Sequence, residues 1–217
     1  MNADAGIAAA HLPVISAVFC AMAALGGTYQ ACRPRGRYGR KTILLMKGGT
    51  TLLASLLALY GALGSGLPAH WWLAGGIVVC AAADVTLEIR FRAGMLNFAL
   101  GHLCFILAFA LLRPLQPFSL LIFAALALLI FITGSRLRTG INQPLWTFQA
   151  YSLIIAAMLS LALAQPPPAS AGALLFVISD CIVFYRLSAK AGRFSDHLCM
   201  LFYYGAQFLL ALSTLFR

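Results

Sequence analysis

The chain has 217 residues, of which 62% are hydrophobic and 9% charged. A soluble domain carries about 25% charged residues, and a core of this size cannot hide so much apolar surface. The composition therefore excludes a soluble globular protein and predicts an all-α integral membrane protein. The formal charge of +10 does not call for nucleic acid as a partner, because the basic residues fall between apolar runs and almost never inside them.

Eight apolar runs follow one another, at 9–31, 43–63, 69–88, 94–112, 117–134, 145–164, 169–187 and 197–216. Each is near the roughly 17–25 residues that a crossing helix needs, so eight transmembrane helices are expected. Ahead of the first run the only charge is Asp4, and behind it come Arg33, Arg35, Arg37, Arg40 and Lys41. A secretory signal peptide carries its positive charge in front, so this run is expected to be retained with its N-terminus outside. Turn chemistry separates later runs, as in Gly64-Ser-Gly-Leu-Pro68, Arg113-Pro-Leu-Gln-Pro117 and Gln165-Pro-Pro-Pro168. Loops this short make neighbouring helices antiparallel, and 1–217 reads as a single polytopic domain without an internal repeat.

The loops and flanks after runs one, three, five and seven hold twelve Lys and Arg, against Arg113 and Arg217 elsewhere; Lys47 lies inside run two. The imbalance predicts both termini on the non-cytoplasmic side. In a bacterium the membrane would be the inner (plasma) membrane. Cys20, Cys32, Cys80, Cys104, Cys181 and Cys199 show no metal-type spacing and read as small residues of the membrane interior.

Only five acidic residues occur, and Asp84 and Asp180 lie inside apolar runs. A charge at such depth costs a few kcal/mol even on permissive insertion scales, so it faces the bundle interior with a partner. At about 1.5 Å per residue, Lys47, Asp84, Asn97, His102, Asp180, Tyr203, Tyr204 and Gln207 all fall roughly 5–15 Å below the cytoplasmic interface. A shared depth predicts a polar chamber open toward the cytoplasmic leaflet. Each member also has a plainer reading: Lys47 snorkelling to the interface, His102 as an interhelical hydrogen-bonding residue, Tyr203 and Tyr204 as packing aromatics. Glu88, one turn past Asp84, is expected at the interface beside Arg90 or Arg92, and His11, His70 and His197 at span ends are expected to be interfacial. No metal and no cofactor are expected, since a hydrolytic zinc wants three protein ligands and the interior offers His102 with two aspartates. Phosphate loops, nucleophile elbows and H-E-x-x-H helices are missing as well. Carboxylate acid–base chemistry on Asp84 and Asp180 is what remains.

Three segments resemble the YhhN family of eight-span membrane proteins. They are Lys47-Gly-Gly-Thr-Thr51-Leu-Leu; Ala82-Ala-Asp84 with Leu87, Phe91, Gly94, Phe98, His102, Phe105 and Phe109; and Gly172 to Asp180 with Arg186 and Tyr203-Tyr-Gly-Ala-Gln207. The chain departs from the family pattern at Gly48, where Pro is usual, at Ala83, where Gly is usual, and at Phe105, where Tyr is expected. The resemblance implies hydrolysis of the vinyl ether bond of lysoplasmalogens to a fatty aldehyde and a glycerophospho-headgroup. It further implies that Asp84 and Asp180 are catalytic, with a lysophospholipid substrate among membrane lipids. Asp180 is expected as the acid and Asp84 as the base, the reverse being the close alternative. Lys47 is expected to pair with an aspartate or to meet the substrate phosphate, while Asn97, His102, Tyr203, Tyr204 and Gln207 support the substrate and water. The competing function class is a lipid-binding or small-solute transport protein that uses the same polar residues. Such transporters usually show repeats and mid-membrane Gly or Pro breaks, and here Pro13, Pro68, Pro117 and Pro144 all lie near span ends. Paired aspartates do not by themselves specify the bond that is cut.

Overall fold

The computed structural model describes residues 2–33, 38–136, 145–188 and 192–216. The loop residues Arg35, Arg37, Arg138 and Lys190, with Pro144 and Arg217, lie outside the described residues. Eight helices and no strand occur among the described residues: α1 Asn2–Cys32, α2 Arg40–Ser65, α3 Pro68–Ile89, α4 Phe91–Leu112, α5 Pro117–Arg136, α6 Leu145–Ala162, α7 Pro167–Ser188 and α8 Arg193–Leu212. A short 3-10 turn, Ser213–Leu215, follows α8. Seven helices are long and apolar enough to cross a membrane, and the apolar stretch of α5, Pro117–Thr133, is shorter. All eight apolar runs are thus helical, but the ends move. The α8 helix starts upstream of its apolar run because its first turn, with Asp196, is polar and follows Gly192. Hydropathy marks where a helix enters apolar surroundings; the cap marks where it begins.

Local chemistry explains the breaks. Pro68, Pro117 and Pro167 each open a helix, the position where a missing N–H costs nothing. After α2, Gly66 adopts φ 67°, and its N–H closes on the Ala62 carbonyl at 3.0 Å. Only Arg90, in an extended conformation, separates α3 from α4. Among the described residues that hairpin is the most extensively packed helix pair, and Gly94 lets it close: a Cβ there would overlap the Leu87 backbone. Without a hydrophobic drive between helices inside a bilayer, small residues that let backbones approach do the work of association. Gly94→Val is therefore expected to separate α3 from α4 and cost about 1–3 kcal/mol or more, read as a lowered unfolding temperature of the purified protein in detergent.

The α2 helix packs on α3, α1 and α8, while α8 also packs on α7; α6 bridges α4 and α5. Leu57, Leu73, Ile77, Phe105, Phe109 and Phe176 fill the core. The outer faces are apolar too, with Leu45, Leu63 and Leu121 all more than 70% exposed. An exposed leucine is ordinary alone, but a continuous apolar exterior suits lipid rather than water. Contact between α6 and α7 is much slighter than between α3 and α4. A cavity of about 470 Å3 occupies the space they leave, reached by side chains from α2 through α8.

Candidate active site

Asp84 and Asp180 line this cavity together, brought from α3 and α7. The Asp84 side chain is buried, and its Oδ2 accepts hydrogen bonds from Thr51 Oγ1 of α2 at 2.6 Å and Tyr203 OH of α8 at 2.9 Å. Two hydroxyls converging on one oxygen complement an ionised carboxylate, and such bonds are the stronger kind. The Asp180 side chain is 19% exposed, and its Oδ2 accepts a hydrogen bond from Tyr151 OH of α6 at 3.1 Å. One carboxyl is enclosed and doubly donated to; the other is more open and held by a single phenol.

His102 stands behind Asp180. Its fully buried ring lies edge-on to Phe176 at 4.5 Å, with Phe105 and Tyr151 about the same distance farther on, at 6.0 and 5.9 Å. Its Nε2 is 3.8 Å from Asp180 Oδ2, too long for a direct hydrogen bond, and the ring does not line the cavity. Tyr203 does line it, its ring edge-on to Phe98 and Phe176. Tyr204 points elsewhere, packing its ring on Gly26 of α1. Asn97 ties α4 to α3 through Thr86 Oγ1 at 3.0 Å, and Gln207 is buried beside Cys80; neither lines the cavity. The structure thus gathers Lys47, Asp84, Asp180 and Tyr203 at the cavity, sets His102 one layer back, and directs Asn97, Tyr204 and Gln207 into helix packing.

Lys47 pairs with a carboxylate, but with Glu88 rather than an aspartate: its Nζ is 2.9 Å from Glu88 Oε1. Arg33 reaches the same oxygen at 3.4 Å and also Asp196 at 3.0 Å, and Arg186 meets Asp196 at 2.6 Å. The network joins the ends of α1, α2, α3, α7 and α8 on one side of the bundle. The partners found for Glu88 come from neighbouring helices, since a glutamate one turn from Asp84 points along the α2–α3 seam. His70 stands at the start of α3, the span end where it is expected. It is fully buried, with Nδ1 2.7 Å from Ser65 Oγ, and it locks the α2–α3 turn. His11 pairs with Tyr60 at 2.9 Å and His197 with Gln30 at 3.2 Å. Among the described residues no three His, Cys, Asp or Glu side chains converge as a metal site requires.

The family model described as the YhhN family matches residues 42–214. The chain belongs to the YhhN family. Its curated relatives include the protein named lysoplasmalogenase TMEM86B of Homo sapiens, 36% identical over 146 residues, which covers 66% of this chain and 63% of that protein. The Rattus norvegicus protein of the same name is 35% identical over 149 residues, covering 67% and 63%. The Mus musculus protein is 34% identical over 164 residues, covering 74% and 70%. The match thus spans about 63% of the length of the first two relatives. No solved structure matches the chain. Within this YhhN chain the matched region contains every cavity-lining residue named above.

Sequence reasoning missed Tyr151 and left Thr51 without a role. Tyr151 is a lone tyrosine well inside α6, and a buried phenol usually seeks a partner for its hydroxyl; that was the available signal. Thr51 carried no signal, since a threonine inside a helix more often bonds its own backbone. Tyr151→Phe is expected to lower the rate of any reaction that needs Asp180 by about ten- to a hundredfold while leaving the fold intact. Steady-state turnover beside circular dichroism of the same sample checks this.

Proposed function

We propose that this chain is an intramembrane hydrolase that cleaves the vinyl ether bond of lysoplasmalogens. The observation that carries the reading is the pair Asp84 and Asp180 on one apolar cavity of about 470 Å3. The names of the YhhN relatives supply the bond. A vinyl ether is cleaved by protonating its β-carbon, which leaves an oxocarbenium ion for water to attack. The chemistry asks for one carboxylic acid and one carboxylate, the division of labour glycosidases use against an oxocarbenium-like transition state.

Asp180 is assigned as the acid and Asp84 as the base. The Asp180 carboxyl gives its proton to the β-carbon, and the negative charge of Asp84 stabilises the cation at the adjacent carbon. Asp84 then takes one proton from water as the oxygen bonds to that carbon, giving a hemiacetal. Collapse returns the hemiacetal hydroxyl proton to Asp180, while Asp84 protonates the departing glycerol oxygen. One water is consumed, and both carboxyls end as they began. The two hydroxyls that donate to Asp84 Oδ2 support its role as the carboxylate, because an ionised carboxylate only accepts and is favoured by two converging donors. The more open Asp180, steadied by Tyr151, has the freer approach to a lipid chain. His102 acts through Asp180 as a positioning residue.

In this reading all eight helices cross the membrane, both termini lie on the non-cytoplasmic side, and the cavity serves the cytoplasmic leaflet. The charge imbalance between loops supports that orientation. The slight α6–α7 contact supports lateral entry of a single-chain lipid. The test is to incubate purified protein with a vinyl-ether lysophospholipid, the matching lyso-ester and the matching saturated ether. Aldehyde from the first alone is expected; no aldehyde from folded protein overturns the assignment.

A further inference from the structure

We propose that Lys47, backed by Glu88, Arg33, Asp196 and Arg186, is an anion subsite that takes the phosphodiester of a single-chain lipid and so sets which bond reaches Asp84. The inference deepens the hydrolase reading and rests on it for the choice of lipid.

Three observations carry it. Lys47 is the one cation among the described residues that line the cavity, and its side chain is only 4% exposed. An ammonium has three N–H donors, and Glu88 Oε1 at 2.9 Å takes one of them. Around it, among the described residues, Arg33, Arg40, Lys47 and Arg186 face Glu88, Asp196 and the ionised Asp84, so four cations share three carboxylates. One positive charge is left uncompensated in a partly desolvated place, where a monoanion is favoured. A phosphodiester carries one negative charge. Its oxygens would complete the donor set of Lys47 without breaking the Arg33–Glu88 contact.

Register supports the same ligand. Glu88 lies one helical turn past Asp84 on α3, about 6 Å along the axis. In a 1-linked lysophospholipid, five bonds separate the ether oxygen on the first glycerol carbon from phosphorus, also about 6 Å. A phosphate held at the level of Lys47 and Glu88 therefore brings that ether oxygen to the level of Asp84. The chain beyond it then runs along the apolar wall formed by Phe98, Phe148, Ile155 and Val177. Cleavage at a carbon nearer the headgroup or farther down the chain would be out of register.

Equilibrium binding to non-cleavable ligands tests this. The probes are a saturated 1-O-alkyl lysophospholipid, the 1-O-alkylglycerol of the same chain, and inorganic phosphate alone. Wild-type protein is expected to bind the lysophospholipid about ten- to a hundredfold more tightly than the alkylglycerol. Lys47→Met is expected to erase that ratio and Lys47→Arg to keep most of it. Inorganic phosphate at the same concentration is expected not to displace the lipid. Equal binding of the two lipids by wild type overturns the proposal, and needs no variant to fold. A ratio retained in folded Lys47→Met, or displacement by inorganic phosphate, overturns it too. Because neither lipid can be cleaved, absence of aldehyde would sink the hydrolase reading and leave this ratio to judge the subsite.

Discussion

Asp180→Asn is expected to slow aldehyde release from a vinyl-ether lysophospholipid by about 10²–10⁴-fold, the range a positioned general acid contributes. The step at stake is protonation of carbon, for which an amide offers no usable proton. The fold should survive the change. Asparagine preserves the shape and can still accept the Tyr151 hydroxyl now 3.1 Å from Asp180 Oδ2. Single-turnover measurement at saturating lipid, with Tm recorded alongside, separates lost chemistry from lost protein. Turnover within tenfold of wild type would mean that the proton comes from elsewhere.

Asp84→Asn is expected to be nearly as damaging, about 10²–10³-fold, because it removes the charge facing the cation and the base that activates water. The two variants should differ in rescue. A small anionic nucleophile such as azide needs no base, so it is expected to restore part of the turnover of Asp84→Asn by attacking the cation directly. It should do nothing for Asp180→Asn, in which the cation never forms. Rescue of Asp180→Asn alone would exchange the two roles. Thr51→Val and Tyr203→Phe each remove one donor from Asp84 Oδ2, so each should fall between wild type and Asp84→Asn.

The fold was largely legible because hydropathy, prolines and one left-handed glycine are local signals. Eight apolar runs became eight helices, and Pro68, Pro117 and Pro167 stand where helices start. Asp84 and Asp180 were conspicuous because carboxylates inside apolar helices are expensive. Position along a helix was legible, but direction around its axis was not. Asn97, Tyr204 and Gln207 share the depth of the cavity and yet turn into neighbouring helices. Lys47 found Glu88 rather than an aspartate because the α2–α3 seam sets its reach, and Gly48 allows that seam to close on the Ala81 carbonyl. Tyr151 and Thr51 depend on which helices meet, and the order of spans along a chain does not determine their neighbours.

The most direct measurement is mass spectrometry of the aldehyde released in deuterated water, trapped at once as a hydrazone. Protonation of the β-carbon followed by addition of water predicts one deuterium on the carbon next to the carbonyl, in wild-type protein only with the vinyl-ether lipid. Aldehyde free of deuterium at that carbon, or none released by folded protein, would contradict the account.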